Sequence, residues 1–541
     1  MQRKHYDVCV IGSGAAGGTL ASQLALLGAN VLLIEGGSYR DPGKLHTHAW
    51  PYEPHVEEVP RVTIDPVKEP YEMAGDANVD VSRARVLGGR TTHWNAVSLR
   101  FAADDFREWS VNGIEEDWPI SYAELAPYYD RAEKLMVVCG TKENLEVLPD
   151  GQFIRPLKLR CSEKILGRAS EKLGLRLIPV RKALATEAGH GRLPCHYCGH
   201  CMSGCGVSAI FNSAEHAIPQ GQATGRLDVR TGWMAHQLFH DQGSAQQRLQ
   251  DARVRRVRIV EREGRRDEEI EADVFAVCGG NIESARLLLN SRSSRFPNGL
   301  ANSNGMVGRY LHGHSTAMTL GYLSGLAGRR PSNQDGATDH AYIPRFIAPR
   351  DAPYRGGFGL QMNFMSYMKP YHASHIKGYG AAFKRRVREL HPAHSMMTGF
   401  GKVTAAPDNR VTLHPTRKDA NGLPVPVVHF RWSDNDRALH ADMRETAKRI
   451  YEAAGVELLE QPGAETPSGF ASHEVGCVRM GKDPKTSVLN ENNQTREVKN
   501  LFVVDGSSFT TFPEKNPTLT IVALALRTAD KILDLKRRGE V

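Results

Sequence analysis

The chain has 541 residues, of which 40% are hydrophobic and 24% charged, and a formal net charge of +8. Because a single hydrophobic core rarely serves so long a chain, the length predicts two domains. The basic residues form no stripe with interleaved aromatics, which argues against nucleic-acid binding, and the lack of an apolar run of about 18 residues argues against a membrane span.

The beginning of the chain predicts a strand–helix–strand unit. Residues 6–11 form a short apolar run typical of a buried strand, and residues 15–27 are small and apolar, as in a closely packed helix. Gly28 ends this helix, and residues 31–34 indicate a second buried strand. This order of elements is the one found in dinucleotide-binding domains.

Glycines occupy the turn after the first strand, and an acidic residue ends the second. Gly12, Gly14 and Gly17 would let the backbone approach a pyrophosphate, whose charge is stabilised by unpaired N–H groups at the helix N-terminus. Glu35 lies 23 residues after Gly12, where a carboxylate accepts hydrogen bonds from an adenosine ribose. We favour a dinucleotide site over an ordinary tight turn, and this unit leaves FAD and NAD both open.

A second glycine-rich segment, residues 85–95, follows a polar and proline-rich stretch at 41–80. The stretch has little periodicity, and long loops of this kind in compact enzymes usually cover a cofactor or form a lid. The segment holds paired glycines followed by an imidazole, an indole and an amide: Gly88, Gly89, His93, Trp94 and Asn95. Paired glycines again permit a close approach of the backbone to a ligand.

Residues 101–181 have a helical pattern. Ser121 and Glu124 have the spacing of a capping box, which predicts the start of a helix that continues toward Met136. We assign the aromatic residues of this helix to core packing rather than to substrate contacts.

Four cysteines lie within eleven residues in the spacing C-x2-C-x2-C-x3-C: Cys195, Cys198, Cys201 and Cys205. Bacterial ferredoxins use this spacing to wrap an iron–sulfur cluster in thiolates. Two features depart from that pattern, since no proline follows the fourth cysteine and ferredoxins with two clusters use that cysteine for the other cluster. A zinc site and unligated or disulfide-bonded cysteines are the alternatives.

The middle of the chain has the pattern of three strands followed by a helix. Residues 227–230, 254–261 and 274–278 indicate strands, the last of which is buried and ends at Gly279. Residues 281–288 then begin a helix.

A large sheet with flanking helices is predicted between residues 315 and 469. Alternating apolar and polar residues at 411–414 and 427–430 indicate two of its strands, and a helix follows at 434–454. The stretch 338–379 is rich in Gly, Pro, Met and aromatic residues, and we expect it to line a pocket.

The last seventy residues carry the candidate catalytic groups. His473 lies in the segment 472–481, and a buried strand at 500–504 leads to Asp505 and Gly506. The final helix starts at three residues that follow a polar turn: Asn516, Pro517 and Thr518.

These segments together resemble the glucose–methanol–choline (GMC) family of flavin oxidoreductases. In that family the segment with Gly88 and Gly89 packs against the isoalloxazine ring, so the resemblance selects FAD over NAD. Thr92-His93-Trp94 is similar to the Thr-His-Trp of pyranose oxidases, in which the histidine is covalently joined to the flavin. Here His93 either forms that bond or packs beside the ring. The match at 279–288 is partial, because Ala285 replaces the usual proline.

The resemblance implies roles for the C-terminal residues. His473 takes the position of the catalytic base and Asn516 that of its partner, which is His or Asn in other members. Cofactor contacts are implied for the residues that follow two strands and open the last helix: Gly279, Asp505, Gly506, Pro517 and Thr518. A neutral imidazole suits alcohol oxidation because it can remove the hydroxyl proton while a hydride leaves the carbon.

The implied fold is α/β: a Rossmann-like FAD-binding domain, similar to that of p-hydroxybenzoate hydroxylase, and an α+β substrate domain with a large antiparallel sheet. We expect the FAD-binding domain to comprise 1–100, 185–312 with the cysteine run, and 470–541. The substrate domain would comprise 101–184 and 313–469.

The implied function is that of an FAD-dependent dehydrogenase that oxidises a sugar or glycoside hydroxyl, with pyranose C3 as the specific expectation. Similar bacterial sugar dehydrogenases carry an iron–sulfur cluster here, so we expect a 3Fe-4S or 4Fe-4S cluster to pass electrons to a cytochrome or quinone. An oxidase similar to pyranose oxidase and a non-catalytic flavin electron-transfer subunit are the alternatives.

The N-terminus lacks the apolar core of a signal peptide, because the first strand begins almost at once. We therefore expect either a cytoplasmic protein or a periplasmic one that is exported with a small partner subunit carrying the signal.

Overall fold

The computed structural model describes residues 5–45, 65–76, 83–241, 252–330, 336–347, 352–362, 373, 375–459, 467 and 473–541. Much of the predicted cover at 41–80 and part of the predicted pocket stretch at 338–379 lie outside the described residues.

Strands and helices are interspersed along the described chain. The strands are β1 (Val8–Ile11), β2 (Val31–Glu35), β3 (Glu72–Gly75), β4 (Val138–Cys139), β5 (Ile178–Pro179), β6 (Lys182–Ala183), β7 (Leu227–Thr231), β8 (Trp233–His240), β9 (Val254–Glu261), β10 (Asp267–Glu271), β11 (Val274–Val277), β12 (His314–Leu323), β13 (Ala341–Ile347), β14 (Gly357–Met362), β15 (His394–Lys402), β16 (Arg410–Lys418), β17 (Pro424–Phe430), β18 (Val456–Leu458) and β19 (Leu501–Val503). The helices are α1 (Ala15–Leu26), α2 (Glu108–Asn112), α3 (Tyr122–Met136), α4 (Cys161–Lys172), α5 (Ser213–His216), α6 (Ile218–Gln222), α7 (Asn281–Asn290), α8 (Gly380–Leu390), α9 (Asp434–Ala453) and α10 (Thr518–Arg537).

A parallel sheet of order β19-β11-β1-β2-β7 organises the nucleotide-binding unit. Strands β1, β2 and β11 are buried along their whole length, as expected for a parallel sheet covered on both faces. Helices α1 and α10 pack against each other, and their apolar residues share one core with strands of this sheet. The predicted Rossmann-like fold is confirmed.

The carboxyl ends of the parallel strands meet at one edge of this sheet. Gly12 follows β1, Glu35 ends β2, Gly279 lies two residues beyond β11, and Asp505 lies two residues beyond β19. Ligands of open α/β sheets bind in the crevice outside these carboxyl ends. Residues that are distant in sequence are thereby brought to one crevice.

The second large sheet is antiparallel, in the order β18-β12-β15-β14-β13-β5. Helix α9 covers one face, where Leu439 and Met443 pack in a core with Met397 of β15. The opposite face carries both polar and apolar side chains toward the crevice of the first sheet: Thr316, Met318, Gln361, Thr398 and Phe400. The predicted large antiparallel sheet is confirmed.

Two strands assigned to this sheet from the sequence belong elsewhere. Segments 411–414 and 427–430 lie in β16 and β17, which form a separate sheet of order β16-β17-β3. The prediction of their place was wrong because alternation of polar and apolar residues fixes which face a residue occupies but not which strand it pairs with.

The helical prediction for residues 101–181 holds only in part. Helix α3 begins with the predicted capping box, in which Ser121 Oγ accepts from Glu124 N and the Glu124 carboxylate accepts from Ser121 N. Residues 137–160, all described, instead form turns and the short strand β4. Two glycines and two prolines in this stretch interrupt any helix.

The domain boundaries remain a prediction. Within the stretch 101–184, α3 packs against α10, while β5 pairs with β13 and α4 packs on α9. No helix among the described residues is long and apolar enough to cross a membrane.

Candidate active site

A cavity of about 920 Å³ lies between the carboxyl edge of the parallel sheet and the face of the antiparallel sheet opposite α9. Its volume is at the upper end of the range for small-molecule sites. Fourteen of the sequence-predicted residues line it: Gly12, Gly14, Glu35, Gly89, His93, Trp94, Asn95, Gly279, His473, Asp505, Gly506, Asn516, Pro517 and Thr518. Gly17 and Gly88 lie behind this lining and pack the loops that form it.

Each of the three N-terminal glycines has a different structural role. Gly12 has a φ of +96°, and a Cβ on it would lie 2.5 Å from the carbonyl oxygen of Cys278. A Cβ on Gly17 would lie 1.8 Å from the carbonyl oxygen of Gly12. A Cβ on Gly14 would meet nothing within 4 Å, although Gly14 lines the cavity. Gly12 and Gly17 therefore serve packing, and Gly14 leaves room for a ligand.

The N-terminus of α1 opens directly onto this space. No side chain among the described residues caps it, since its N-cap position is Gly14. The first N–H groups of the helix and the positive end of its dipole are therefore available to an anionic ligand. These features fit the pyrophosphate of a dinucleotide.

Glu35 braces the glycine loop from the end of β2. Its carboxylate accepts hydrogen bonds from Ser13 N at 3.1 Å, from Ser13 Oγ at 2.6 Å and from Gly37 N at 2.9 Å. Burial raises the pKa of Glu35 despite these donors. Glu35 also lines the cavity, and its contact with a ribose remains a prediction.

The second glycine segment lies against the first. Gly88 N donates to Ser13 Oγ at 3.0 Å, and a Cβ on Gly89 would lie 3.0 Å from the Cα of Gly14. Next in the chain, His93 Nδ1 lies 2.8 Å from Thr92 Oγ1. Burial, reinforced by the nearby Arg90, lowers the pKa of His93 to about 4, so its imidazole is neutral at pH 7.

His473 is held by a second histidine. His314 Nδ1 lies 3.0 Å from His473 Nδ1, and His314 Nε2 lies 2.7 Å from the carbonyl oxygen of Pro513. A carbonyl oxygen only accepts, so His314 Nε2 carries the proton and its Nδ1 is an acceptor. His473 Nδ1 must then be the donor, which leaves His473 Nε2 without a proton.

The protonation states agree with this hydrogen-bond pattern. Burial lowers the pKa of His314 to about 3. Burial, together with His314 and Arg90, lowers the pKa of His473 well below its usual value. Both imidazoles are therefore neutral at pH 7, and His473 lines the cavity with an Nε2 that can accept a proton.

Asn516 is oriented from the antiparallel sheet. Gln361 Nε2 donates to Asn516 Oδ1 at 2.7 Å. The side-chain NH₂ of Asn516 is thereby left as the donor that can meet an oxygen in the cavity. The structure brings His473 and Asn516, which are 43 residues apart in the sequence, to one cavity.

Ion pairs support the segment that carries His473. Glu474 accepts from Arg83 at 3.3 Å and from Arg90 at 3.1 Å. Although burial disfavours its charged form, these two guanidinium groups lower the pKa of Glu474.

Asp505 joins two turns at the edge of the parallel sheet. One of its oxygens accepts from Gly280 N and Ser284 Oγ, and the other accepts from Ser507 N and Oγ. It thereby holds the turn after β11 against the turn after β19.

Sequence reasoning missed six cavity residues on the antiparallel sheet and the loop before β13: Thr316, Met318, Asp339, Gln361, Thr398 and Phe400. Only the composition of the stretch 338–379 pointed toward two of them. No motif marks them, because their neighbourhood follows from strand register.

The four clustered cysteines lie in one loop beside the cavity and form no disulfide. Tyr197 N donates to Cys195 Sγ at 3.3 Å, and Ala209 N donates to Cys205 Sγ at 3.3 Å. Burial, followed by the neighbouring cysteine Cys201, raises the pKa of Cys195 to about 12. Among the described residues, no three His, Cys, Asp or Glu side chains are arranged to hold a metal ion.

Comparison with known proteins identifies the kind of fold that forms this site. Residues 6–316 and 405–525 match the N-terminal and C-terminal models of GMC oxidoreductase. The chain is 32% identical to 2-methyl-1,2-propanediol dehydrogenase of Mycolicibacterium austroafricanum, over 97% of this chain and 95% of the relative. It is 27% identical to the fructose dehydrogenase large subunit of Gluconobacter japonicus, over 98% of each chain.

Solved structures share the fold. Pyridoxine 4-oxidase from Mesorbium loti superposes with a TM-score of 0.67 at 18% identity, over 97% of this chain and 99% of the other.

Proposed function

This chain belongs to the GMC oxidoreductase family, and from that premise we propose that it is an FAD-dependent dehydrogenase that oxidises a sugar or glycoside hydroxyl to a carbonyl. One observation carries the proposal: the proton-accepting nitrogen of His473 and the donor amide of Asn516 share a cavity with an open helix N-terminus. FAD is the cofactor of the family, and the glycine loop at Gly14 fits its pyrophosphate.

The protein groups divide the chemistry between them. His473 Nε2 removes the hydroxyl proton, as a neutral imidazole can do at pH 7. The NH₂ group of Asn516 donates to the oxygen on which negative charge develops. FAD, when bound, supplies the hydride acceptor. The cavity walls hold the carbinol carbon in position for the reaction.

The substrate class is supported by the relatives. Those compared above are named for a diol and for fructose, and the antiparallel sheet contributes three polar side chains to the cavity lining, Thr316, Gln361 and Thr398, beside Met318 and Phe400. Within this class we propose the C3 hydroxyl of a pyranose, the reaction of bacterial glucoside 3-dehydrogenases.

We further propose that Cys195, Cys198, Cys201 and Cys205 hold a 3Fe-4S or 4Fe-4S cluster, which would supply one-electron transfer. The structure describes all four residues but does not arrange their thiols as a metal site, so cluster binding would require the loop to bring them together. Backbone N–H groups already donate to two of these sulfurs, and in iron–sulfur proteins hydrogen bonds to the sulfurs help to set the reduction potential. The loop adjoins the active site, since Met202 lines the main cavity and Cys205 borders a small cavity together with His93. We propose that the electrons pass to an external cytochrome or quinone. We also propose that the chain is exported to the periplasm together with a small partner subunit; a cytoplasmic location is the alternative.

The test begins with anaerobically purified holoenzyme. We expect flavin absorption, stoichiometric iron and labile sulfide, an EPR signal, and faster turnover of a methyl glucoside with a ferricenium acceptor than with oxygen. Product analysis by NMR would locate the carbonyl carbon. A protein with flavin but no iron, and with oxygen as the preferred acceptor, would instead be the oxidase. Full turnover in His473→Ala would indicate that His473 is not the base.

A further inference from the structure

On the side of the cavity formed by the antiparallel sheet and the loop before β13, three buried polar atoms have no hydrogen-bond partner among the described residues: Asp339 Oδ1, Gln361 Oε1 and Thr398 Oγ1. Their side chains are 1%, 1% and 4% exposed, and all three line the cavity. A buried polar group without a partner costs roughly 1–3 kcal/mol, so a cluster of them marks a place where a ligand completes the hydrogen bonds.

The strand register makes these residues neighbours. Gln361 of β14 is paired directly with Thr398 of β15. Asp339 lies just before β13, whose first residue Ala341 pairs with Met362, the residue after Gln361. Gln361 also donates to Asn516, so the cluster adjoins the amide that faces the reacting oxygen.

Asp339 is held in a strained and fixed position. Its backbone has a φ of +43°, which a residue with a side chain adopts at a cost of roughly 1–3 kcal/mol and usually at functional sites. Asn95 Nδ2 donates to Asp339 Oδ2, and Thr338 Oγ1 donates to Asn95 Oδ1 at 2.7 Å. These bonds leave Oδ1 as the oxygen available to a ligand.

The unpartnered atoms define the complementary chemistry. A carboxylate and an amide carbonyl only accept hydrogen bonds, and a threonine hydroxyl accepts or donates. Burial raises the pKa of Asp339 to about 6, so the carboxylate is largely ionised at pH 7. The Lys182 ammonium group, which donates to Thr338 O, has the opposite charge to the Asp339 carboxylate and partly offsets the rise in its pKa. A neutral ligand with several hydroxyl donors therefore fits better than an ammonium group or a hydrocarbon.

We propose that Asp339, Gln361 and Thr398 form a subsite that binds the hydroxyls next to the carbinol being oxidised, so that the enzyme requires a polyhydroxylated substrate with neighbouring hydroxyl groups. This inference rests on the proposed function, because the subsite is defined relative to Asn516. It adds to that function the requirement for adjacent hydroxyls.

The experiment measures each enzyme variant on a substrate and on analogues of it that lack one hydroxyl. The holoenzyme and its Asp339→Asn and Thr398→Val variants are compared on a methyl glucoside and on its 2-deoxy and 4-deoxy analogues. In the wild type we expect removal of a contacted hydroxyl to lower kcat/KM at least 30-fold. In Asp339→Asn the same removal should cost less than 3-fold, because the contact is already lost.

Met397→Leu is the matched control, because Met397 is next to Thr398 in β15 but packs in the core behind the sheet. In Met397→Leu, each deoxy analogue should lower kcat/KM by the same factor as in the wild type. The subsite proposal would be overturned if Asp339→Asn lowered kcat/KM equally on all substrates, or if it changed the reduction potential of the bound flavin.

A direct binding measurement separates this subsite from the proposed function. The glucoside is titrated into oxidised holoenzyme while the flavin spectrum is followed. If Asp339→Asn weakens binding of the glucoside at least 10-fold, the subsite is supported. If in addition no protein turns over the glucoside, only the dehydrogenase proposal fails. Equal affinity of wild type and variant overturns the subsite even if turnover is observed.

Discussion

His314 Nδ1 lies 3.0 Å from His473 Nδ1, while the opposite nitrogen of His314 lies 2.7 Å from the carbonyl oxygen of Pro513. The carbonyl fixes the proton on His314, and His314 in turn fixes the proton on His473. A backbone oxygen thus decides which nitrogen of the proposed base faces the cavity without a proton.

Replacing His314 by Phe should lower the rate of flavin reduction at least 10-fold, because His473 then loses the acceptor that selects its tautomer. The Phe ring keeps the stacking on Phe512, whose ring centroid lies 4.2 Å from that of His314. His314→Gln can donate and accept through one amide and should recover part of the rate. Stopped-flow flavin reduction measures both variants, and ¹⁵N NMR of His473 reports its tautomer. Equal rates in wild type and His314→Phe would contradict the positioning role.

The pH dependence of flavin reduction follows from the lowered pKa of His473. The active form of a general base is the unprotonated one, which exists above the pKa of the folded protein. We therefore expect a rate that is constant from pH 8 through 6.5, the usual pKa of histidine, and that falls only at more acidic pH. Burial is the main cause of this lowered pKa, and His314 and Arg90 lower it further. A half-maximal rate near pH 6.5 would show that His473 is not shifted.

Acid should destabilise the fold through His312. Burial lowers the pKa of this fully buried side chain to about 3, far below its value in the unfolded chain. The unfolded state therefore binds more protons, and stability present above pH 6.5 is lost as the pH falls toward 3. At pH 5 this loss amounts to about 2 kcal/mol for one such group. Urea unfolding of wild type and His312→Gln at pH 7 and pH 5 measures it, and His312→Gln should lack this part of the pH dependence. The same pH dependence in both proteins would disprove the assignment.

The N-terminal glycines provide a matched pair of variants. In Gly17→Ala the new methyl group collides with the carbonyl oxygen of Gly12, so we expect a loss of several kcal/mol in stability, about 3 or more. In Gly14→Ala the methyl group meets no protein atom, but it occupies the approach to the helix N-terminus. FAD affinity should fall at least 10-fold, or about 1.4 kcal/mol, with little change in apoprotein stability. Calorimetry and FAD titration test both, and unchanged FAD affinity in Gly14→Ala would place the pyrophosphate elsewhere.

The sequence predicted the parts of this fold whose signal is local. The βαβ unit around Gly12, the capping box at Ser121 and the buried strand before Asp505 all follow from periodicity and short-range chemistry. The place of β16 and β17 did not, since sheet partners are chosen by tertiary contacts. Asp339 and Thr398 were missed for the same reason: they become neighbours of Gln361 only through the pairing of β13, β14 and β15.

The cysteine loop allows a test of the proposed cluster. Cys205→Ser should lose most of the iron, because one ligand is removed from a loop whose other contacts remain. Turnover with a one-electron acceptor should fall at least 10-fold, while reduction of the flavin by substrate stays close to wild type, since His473 and Asn516 are untouched. Cys161→Ser is the control, because this cysteine is exposed and lies on α4, outside the cluster loop. Iron and sulfide analysis, EPR and stopped-flow reduction distinguish the two variants. If Cys205→Ser retains its full iron content and acceptor turnover, Cys205 is not a ligand; if the wild type contains no iron, the loop has no cluster to pass electrons.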